Sequence, residues 1–210
     1  MRNVLVVDDH ALVRDGLKSV LREHAATTDV GEAATAADAS RLARERDWDL
    51  AIVDISLAGR SGLDVVAELK ALRPRMPVLV LSMHSEQQYA RRAFRAGAAG
   101  YITKSTSRAE LARAIRRVGA GGRYVSPELA EQLAADLDRD TADAPHAALS
   151  NREFEVMRLL GTGNTVTEIA AILGISDKTV STYRARILEK MHVRTNAELV
   201  RYLIENNLLD

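Results

Sequence analysis

The run Leu50-Ala51-Ile52-Val53, closed by Asp54, constrains this chain more than any other stretch. Four successive apolar residues, the last two β-branched, read as a short strand buried on both faces, the habit of parallel sheets. A carboxylate follows, and Gly59 and Gly62 then mark a loop. In open α/β sheets ligands bind just beyond the carboxyl ends of the strands, so Asp54 belongs at the mouth of a site. Asp54 is therefore the expected reactive centre.

The pattern around it repeats. Val4-Leu5-Val6-Val7, a weaker run near Val30, Val78-Leu79-Val80-Leu81 and Tyr101-Ile102-Thr103 are further strand candidates. Apolar residues at helical spacing lie between them, over 10–23, 36–46, 62–72, up to about 96, and after 107. Ser85-Glu86-Gln87-Gln88 and Ser107-Arg108-Ala109-Glu110 have the spacing of capping boxes that open the last two of these helices. Five strands alternating with five helices predict an α/β fold, a doubly wound five-stranded parallel sheet.

The pattern changes at Gly119-Ala120-Gly121-Gly122-Arg123. Ser126-Pro127 then starts a short helix, and residues 136–146, acidic with Leu137 as the one large apolar residue, read as a solvated linker. From Leu149 onward the chain reads as helices over 151–161, 166–173, 176–190 and 196–206, with capping boxes at Ser150-Asn151-Arg152-Glu153 and Thr165-Val166-Thr167-Glu168. Gly174-Ile175-Ser176 alone separates the middle pair, the spacing of a helix-turn-helix. The expected domains are 1–120, a linker over 121–146, and a four-helix unit over 147–210.

Composition narrows the function. With no cysteine, disulfides and thiolate metal sites are excluded. No apolar run approaches the roughly 20 residues that cross a bilayer, and the first 25 residues carry Asp8, Asp9, Asp15 and arginines, so neither a membrane span nor a signal peptide is expected. A cytoplasmic protein is the expectation. The net charge of +0 hides a division: residues 1–125 hold 20 Lys and Arg against 15 Asp and Glu, 126–149 hold 1 against 6, and 150–210 hold 8 against 8. Any DNA affinity of the tail must therefore come from one arranged face rather than bulk charge.

Asp8 and Asp9 end the first strand and Asp54 the third, and these strands are neighbours in a doubly wound sheet. Three carboxylates at one rim repel, and Mg2+, which takes oxygen ligands and keeps waters, is the expected remedy. Lys104 follows the fifth strand and Ser82 the fourth; an ammonium and a hydroxyl beside a metal suit a phosphoryl group. His10 has no nameable partner and is read as structural.

These residues resemble the receiver domain of two-component response regulators over about residues 1–120, with Tyr101 at that family's aromatic switch position. The resemblance implies that Asp54 accepts a phosphoryl group from a phosphohistidine on a partner sensor histidine kinase. It also implies that Asp9, Asp54 and the Ser56 backbone carbonyl hold Mg2+ with Asp8 nearby, that Lys104 pairs with the phosphate, and that Ser82 moves to it, letting Tyr101 turn inward. Many receivers carry proline after the lysine; here it is Ser105, and a trans bond is expected.

On the helix from about Asp177, Val180, Ile187 and Met191 form one apolar stripe flanked by Tyr183 and Leu188, while Lys178, Thr182, Ala185, Arg186 and Glu189 lie opposite with Ser181 at their edge. Such a face can enter a major groove. Residues 147–210 resemble the LuxR-type DNA-binding domain, through Glu153, Val156, Gly163, Glu168-Ile169-Ala170, Leu173, Ile175-Ser176, Thr179-Val180 and Lys190. Together the two halves resemble the NarL/FixJ class, which implies a phosphorylation-switched transcription regulator of double-stranded DNA and no turnover enzyme. Thr167, Ser181 and Tyr183 depart from the commoner Lys, Lys and His, so base contacts do not carry over. The expected contacts are Ser181, Thr182 and Arg186 toward bases and Lys178, Thr179, Arg184 and Lys190 toward phosphates. The family also implies a homodimer through the last helix, with Val200, Leu203 and Ile204 as candidates, or those residues simply pack within their own domain. Two other readings stay open. One is a Mg2+-dependent aspartyl phosphohydrolase of the haloacid dehalogenase type, although Ser56 stands where that type has a second Asp. The other is a receiver-like interaction protein that is never phosphorylated.

Overall fold

The computed structural model describes residues 2–24, 29–83, 86–135 and 144–209. The first compact unit is a five-stranded, all-parallel sheet of β1 (Asn3–Val7), β2 (Asp29–Ala33), β3 (Leu50–Asp54), β4 (Val78–Ser82) and β5 (Gly100–Thr103), in the order β2-β1-β3-β4-β5. The connecting helices are α1 (Ala11–His24), α2 (Ala36–Glu45), α3 (Gly62–Leu72), α4 (Glu86–Arg95) and α5 (Arg108–Gly119). Strand residues alternate between faces. Val4, Val6, Leu50, Ile52, Leu79, Leu81 and Ile102 pack with Leu17, Val20 and Leu21 of α1 and Ile115 and Val118 of α5. α2, α3 and α4 cover the other face.

Local chemistry sets the helix starts. Thr35, Ser107 and Ser126 accept hydrogen bonds from the backbone of Asp38, Glu110 and Leu129. The box expected at Ser107 is half formed, because the Glu110 carboxylate turns to Arg113 and the Tyr124 hydroxyl instead. The box expected at Ser85 lies outside the described residues. Gly62 is required by close approach: a Cβ there would sit 1.8 Å from the Asp54 carbonyl oxygen. Without one, the start of α3 presses against the end of β3, with the Gly62 N–H on the Ile55 carbonyl at 2.8 Å.

Part of the span 121–146 packs on the first unit. Tyr124 is buried, bridges to Gly100, and donates its N–H to the Ala99 carbonyl at 3.0 Å, so the segment after α5 packs against the β5 edge of the first unit. An aromatic side chain with an apolar sheet edge beside it buries itself there. α6 (Pro127–Ala135) follows. At the other end, His146 sits in a short 3-10 helix (Pro145–Ala148), its Nδ1 2.7 Å from the Tyr202 hydroxyl and its ring tilted on Phe154.

The second unit is helical: α7 (Asn151–Gly161), α8 (Val166–Leu173), α9 (Asp177–Lys190) and α10 (Asn196–Glu205). Complete capping boxes open α7 and α8. Gly174, left-handed at φ 62°, ends α8 and lets α9 restart within three residues. Phe154, Val156, Met157, Ile169, Val180, Ile187, Leu199 and Leu203 fill the core.

Candidate functional site

β1 and β3 are hydrogen-bonded neighbours with Val7 level with Val53, so Asp8 and Asp54 leave the sheet side by side. Asp8 is still held by its own N–H on the Ala33 carbonyl at 3.1 Å. The Lys104 N–H donates to the Ser82 carbonyl at 2.7 Å, which extends the β4–β5 ladder by one residue and fixes where the lysine begins. From there its Nζ reaches Asp8 Oδ2 at 2.8 Å and Asp54 Oδ2 at 2.7 Å.

One ammonium cannot neutralise two carboxylates that are 1% and 2% exposed. Burial raises the Asp54 pKa; the Lys104 hydrogen bond and charge oppose this, Asp8 adds to it, and the Ser56 N–H opposes it weakly, leaving a value of about 6. At Lys104 burial disfavours the charge, but hydrogen bonds from Asp54 and Asp8 outweigh it and raise the pKa. Lys104 thus stays an ammonium while Asp54 carries an under-compensated charge.

Two buried oxygens, Asp54 Oδ1 and Asp9 Oδ1, have no hydrogen bond. Asp9 Oδ1 lies 2.7 Å from His10 Nδ1, outside hydrogen-bond geometry, while Asp9 Oδ2 accepts from the Ala58 N–H at 3.1 Å. The His10 N–H donates to Asp8 Oδ1 at 2.8 Å. Donor atoms of Asp8, Asp9, His10 and Asp54 all fall within 4.8 Å of one another. His10 is thus part of the cluster, against its reading as merely structural; the adjacent acids were the signal that could have placed it. Buried oxygens without a hydrogen bond beside an under-compensated carboxylate fit a divalent cation.

The remaining pocket residues lie on the same rim. Ser56, two residues past β3, pairs with Ser61 in an isolated bridge that shapes the loop. Ser82 ends β4 fully buried, and Tyr101, on the same sheet face, is also fully buried. Tyr101 is thus already buried in this structure. The Lys104–Ser105 peptide is trans.

On α9, Val180 and Ile187 are buried, and Lys178, Ser181, Thr182, Ala185, Arg186 and Glu189 are exposed. Several candidate DNA contacts also have internal partners. Thr179 shares a hydrogen bond with the N-cap Ser176 at 2.8 Å, Arg184 Nε donates to Asn196 at 2.9 Å, and Lys190 Nζ donates to the buried Glu153 at 2.7 Å. Thr182 donates to the Lys178 carbonyl at 2.9 Å. On α10, Leu203 is fully buried in its own domain, Val200 is half-buried, and Ile204 is 62% exposed. Leu203 therefore serves the domain's own core, because Gly161 leaves room for its side chain to pack there. Among the described residues no helix is long and apolar enough to cross a membrane.

Residues 4–116 match the response regulator receiver domain family, and residues 147–203 match the family described as bacterial regulatory proteins, luxR family. The chain is 37% identical over 211 residues to the response regulator GacA of Pseudomonas aeruginosa, covering 100% of this chain and 99% of that protein. It is 34% identical to the response regulator UvrY of Escherichia coli over 209 residues, covering 99% and 96%. Among solved structures it is similar to RcsB of Salmonella enterica serovar Typhimurium bound to the promoter rprA with phosphomimetic BeF3-. That match has a TM-score of 0.63 at 26% identity and covers 97% of this chain and 98% of that one. The chain therefore belongs to the two-component response regulators of the NarL/FixJ class, a receiver followed by a LuxR-type helix-turn-helix, and is a transcription regulator controlled by phosphorylation.

Proposed function

We propose that Asp54 is the phosphoacceptor, taking the phosphoryl group of a phosphohistidine on a sensor kinase. An Asp54 carboxylate oxygen attacks phosphorus, the nitrogen–phosphorus bond breaks, and an acyl phosphate forms. The observation that carries this reading is the buried Asp54 Oδ1, which has no hydrogen bond, beside a lysine ammonium that contacts both Asp8 and Asp54. Mg2+ held by Asp9, Asp54 and the Ser56 carbonyl, with Asp8 nearby, would supply positive charge to the transferred phosphoryl oxygens. Lys104, already an ammonium at 2.7 Å from Asp54, transfers its hydrogen bond from the carboxylate to the phosphate. Ser82 and the buried Tyr101 respond to the new group from the neighbouring strands.

The output is DNA binding by α8 and α9, with Lys178, Ser181, Thr182 and Arg186 facing the groove. Thr179, Arg184 and Lys190 sit at its edge, holding the helix and lying near phosphates. A homodimer forms through α10, with Ile204 and Val200 at the surface and Leu203 behind them. RcsB dimers bound to DNA support a DNA-bound dimer by analogy. The receiver covers about 1–120 with the Tyr124 segment attached, the DNA-binding domain covers 147–210, and the protein works in the cytoplasm without turnover of a free substrate.

The test is incubation of the full chain with acetyl phosphate and Mg2+, read by intact mass. One phosphate per chain, lost in Asp54→Asn, is expected. No adduct, or one retained in that variant, would overturn the assignment; sustained hydrolysis of a phosphomonoester would favour the phosphohydrolase reading instead.

A further inference from the structure

We infer that His10 supplies a nitrogen donor to the acidic pocket, so that the pocket takes a transition-type divalent cation such as Zn2+ or Co2+ as well as Mg2+. This rests on the reading of the pocket as a metal site. Lys104 occupies Oδ2 of both Asp8 and Asp54, and Asp8 Oδ1 accepts the His10 N–H, so the oxygens facing a cation are the Oδ1 atoms. Of these, Asp54 Oδ1 is buried and without a hydrogen bond, as is Asp9 Oδ1.

His10 stands at that oxygen edge. Its Nδ1 is 3.4 Å from Asp8 Oδ1 and 2.7 Å from Asp9 Oδ1. Donors bound at about 2.0–2.2 Å to one ion lie roughly 3.0–3.5 Å apart, so the first spacing already fits and the second opens by a few tenths of an ångström. The backbone holds the residue in place, because the His10 N–H is tied to Asp8 Oδ1 and its carbonyl accepts from the Val13 and Arg14 N–H groups at the start of α1. The imidazole itself is 67% exposed, so its ring stays open to solvent while Nδ1 lies against the acids. An all-oxygen set suits Mg2+; adding imidazole favours Co2+ and Zn2+ over it.

Calorimetric titration of the full chain with Mg2+, Co2+ and Zn2+ tests this in the wild type, His10→Gln and Asp54→Asn, with the visible absorption of bound Co2+ as a second readout. His10→Gln is expected to weaken Co2+ and Zn2+ about tenfold or more, to change Mg2+ by less than about twofold, and to alter the Co2+ spectrum. Unchanged Co2+ affinity and spectrum in His10→Gln would overturn the inference, because the ion would then be held by oxygens or by other histidines. An equal loss for all three ions would overturn it too, since His10 would then act by position rather than as a donor. Asp54→Asn separates the two levels. If it weakens every cation while His10→Gln weakens none, the acidic site stands and the nitrogen donor falls. If it leaves Mg2+ binding untouched, the reading of the pocket itself fails.

Discussion

The receiver pocket and the outer face of α9 assemble their residues in opposite ways. Lys104 meets Asp8 across 96 positions of sequence, and neither touches the other unless the whole sheet is in register. The candidates on α9 all lie within 14 consecutive residues, and helical geometry alone turns them outward. In the pocket, position nearly determines role, because a charged side chain buried at a strand end has little else to do. On the helix, facing outward is a weak constraint: Thr179, Arg184 and Lys190 reach the surface and still bond to their own domain. Convergence of distant residues is the stronger signal of function.

That contrast is sharpest at Lys104. Replacing it with Met leaves Asp8 and Asp54 buried without a cation, and removing one partner of a buried ion pair costs about 3–5 kcal/mol. Urea denaturation of the full chain should show a loss of this size in the first unit. Asp54→Asn in the same background should restore part of it by removing one of the two charges. A loss below about 1 kcal/mol, the scale of an exposed pair, would mean the pocket is open to water and the comparison with α9 would collapse.

Gly62→Ala tests the same region through the backbone. Its Cβ would fall 1.8 Å from the Asp54 carbonyl oxygen, and neither main chain can move aside cheaply. A cost of about 3 kcal/mol, the upper end for overpacking, is expected in the same denaturation experiment, with slower phosphorylation of Asp54 by acetyl phosphate. Unchanged stability would show that the loop and β3 separate readily.

Much of this architecture is legible from pattern. The apolar runs and the acids that close them, and the stripe Val180, Ile187 and Met191 at a period of 3.6 residues, are features local sequence carries directly. What escapes are pairings that need a third dimension. Trp48 lies over Gly31, whose missing side chain makes the space, and its Nε1 donates to the Leu42 carbonyl. Tyr124 competes for Glu110 and so dissolves half of an expected capping box. His146 docks on Tyr202 at the end of what reads as solvated chain. His10 joins the acids next to it because the turn into α1 brings its Nδ1 to 2.7 Å from Asp9, a fold that adjacency in sequence suggests but does not fix.

Arg186 and Lys190 divide the helix by the same logic. Among the described residues Arg186 is exposed and makes no ion pair, so Arg186→Ala should leave stability within about 0.5 kcal/mol while weakening operator binding by about 1–3 kcal/mol. Lys190→Ala should lower both, because it also strips Glu153 of its cation. Fluorescence anisotropy with operator and unrelated DNA checks both. Equal loss on the two DNAs for Arg186→Ala would make it a phosphate contact rather than a base reader.

The smallest effect is at Glu153, where the helical domain comes nearest to the chemistry of the pocket. Burial works against the Glu153 charge, but Lys190 and the Ser150 cap outweigh it, so its carboxyl sits below the ordinary value. A carboxyl depressed on folding adds stability that is fully present above its unfolded pKa, about 4.3, and is lost as pH falls through the lower folded value. Glu153→Gln should therefore cost about 1 kcal/mol at neutral pH, and the gap between variant and wild type should close as the pH drops into the acid range. Calorimetric melting of the full chain at several pH values reads this in the helical transition. Asp54, raised rather than depressed, contributes with the opposite sign: the first unit gains relative stability as the pH falls through about 6 toward the ordinary carboxyl value and its carboxyl is protonated. Acidification should thus loosen the helical domain through Glu153 while relaxing the strain at Asp54. Two transitions moving together over that range would show that these buried acids do not report their own domains.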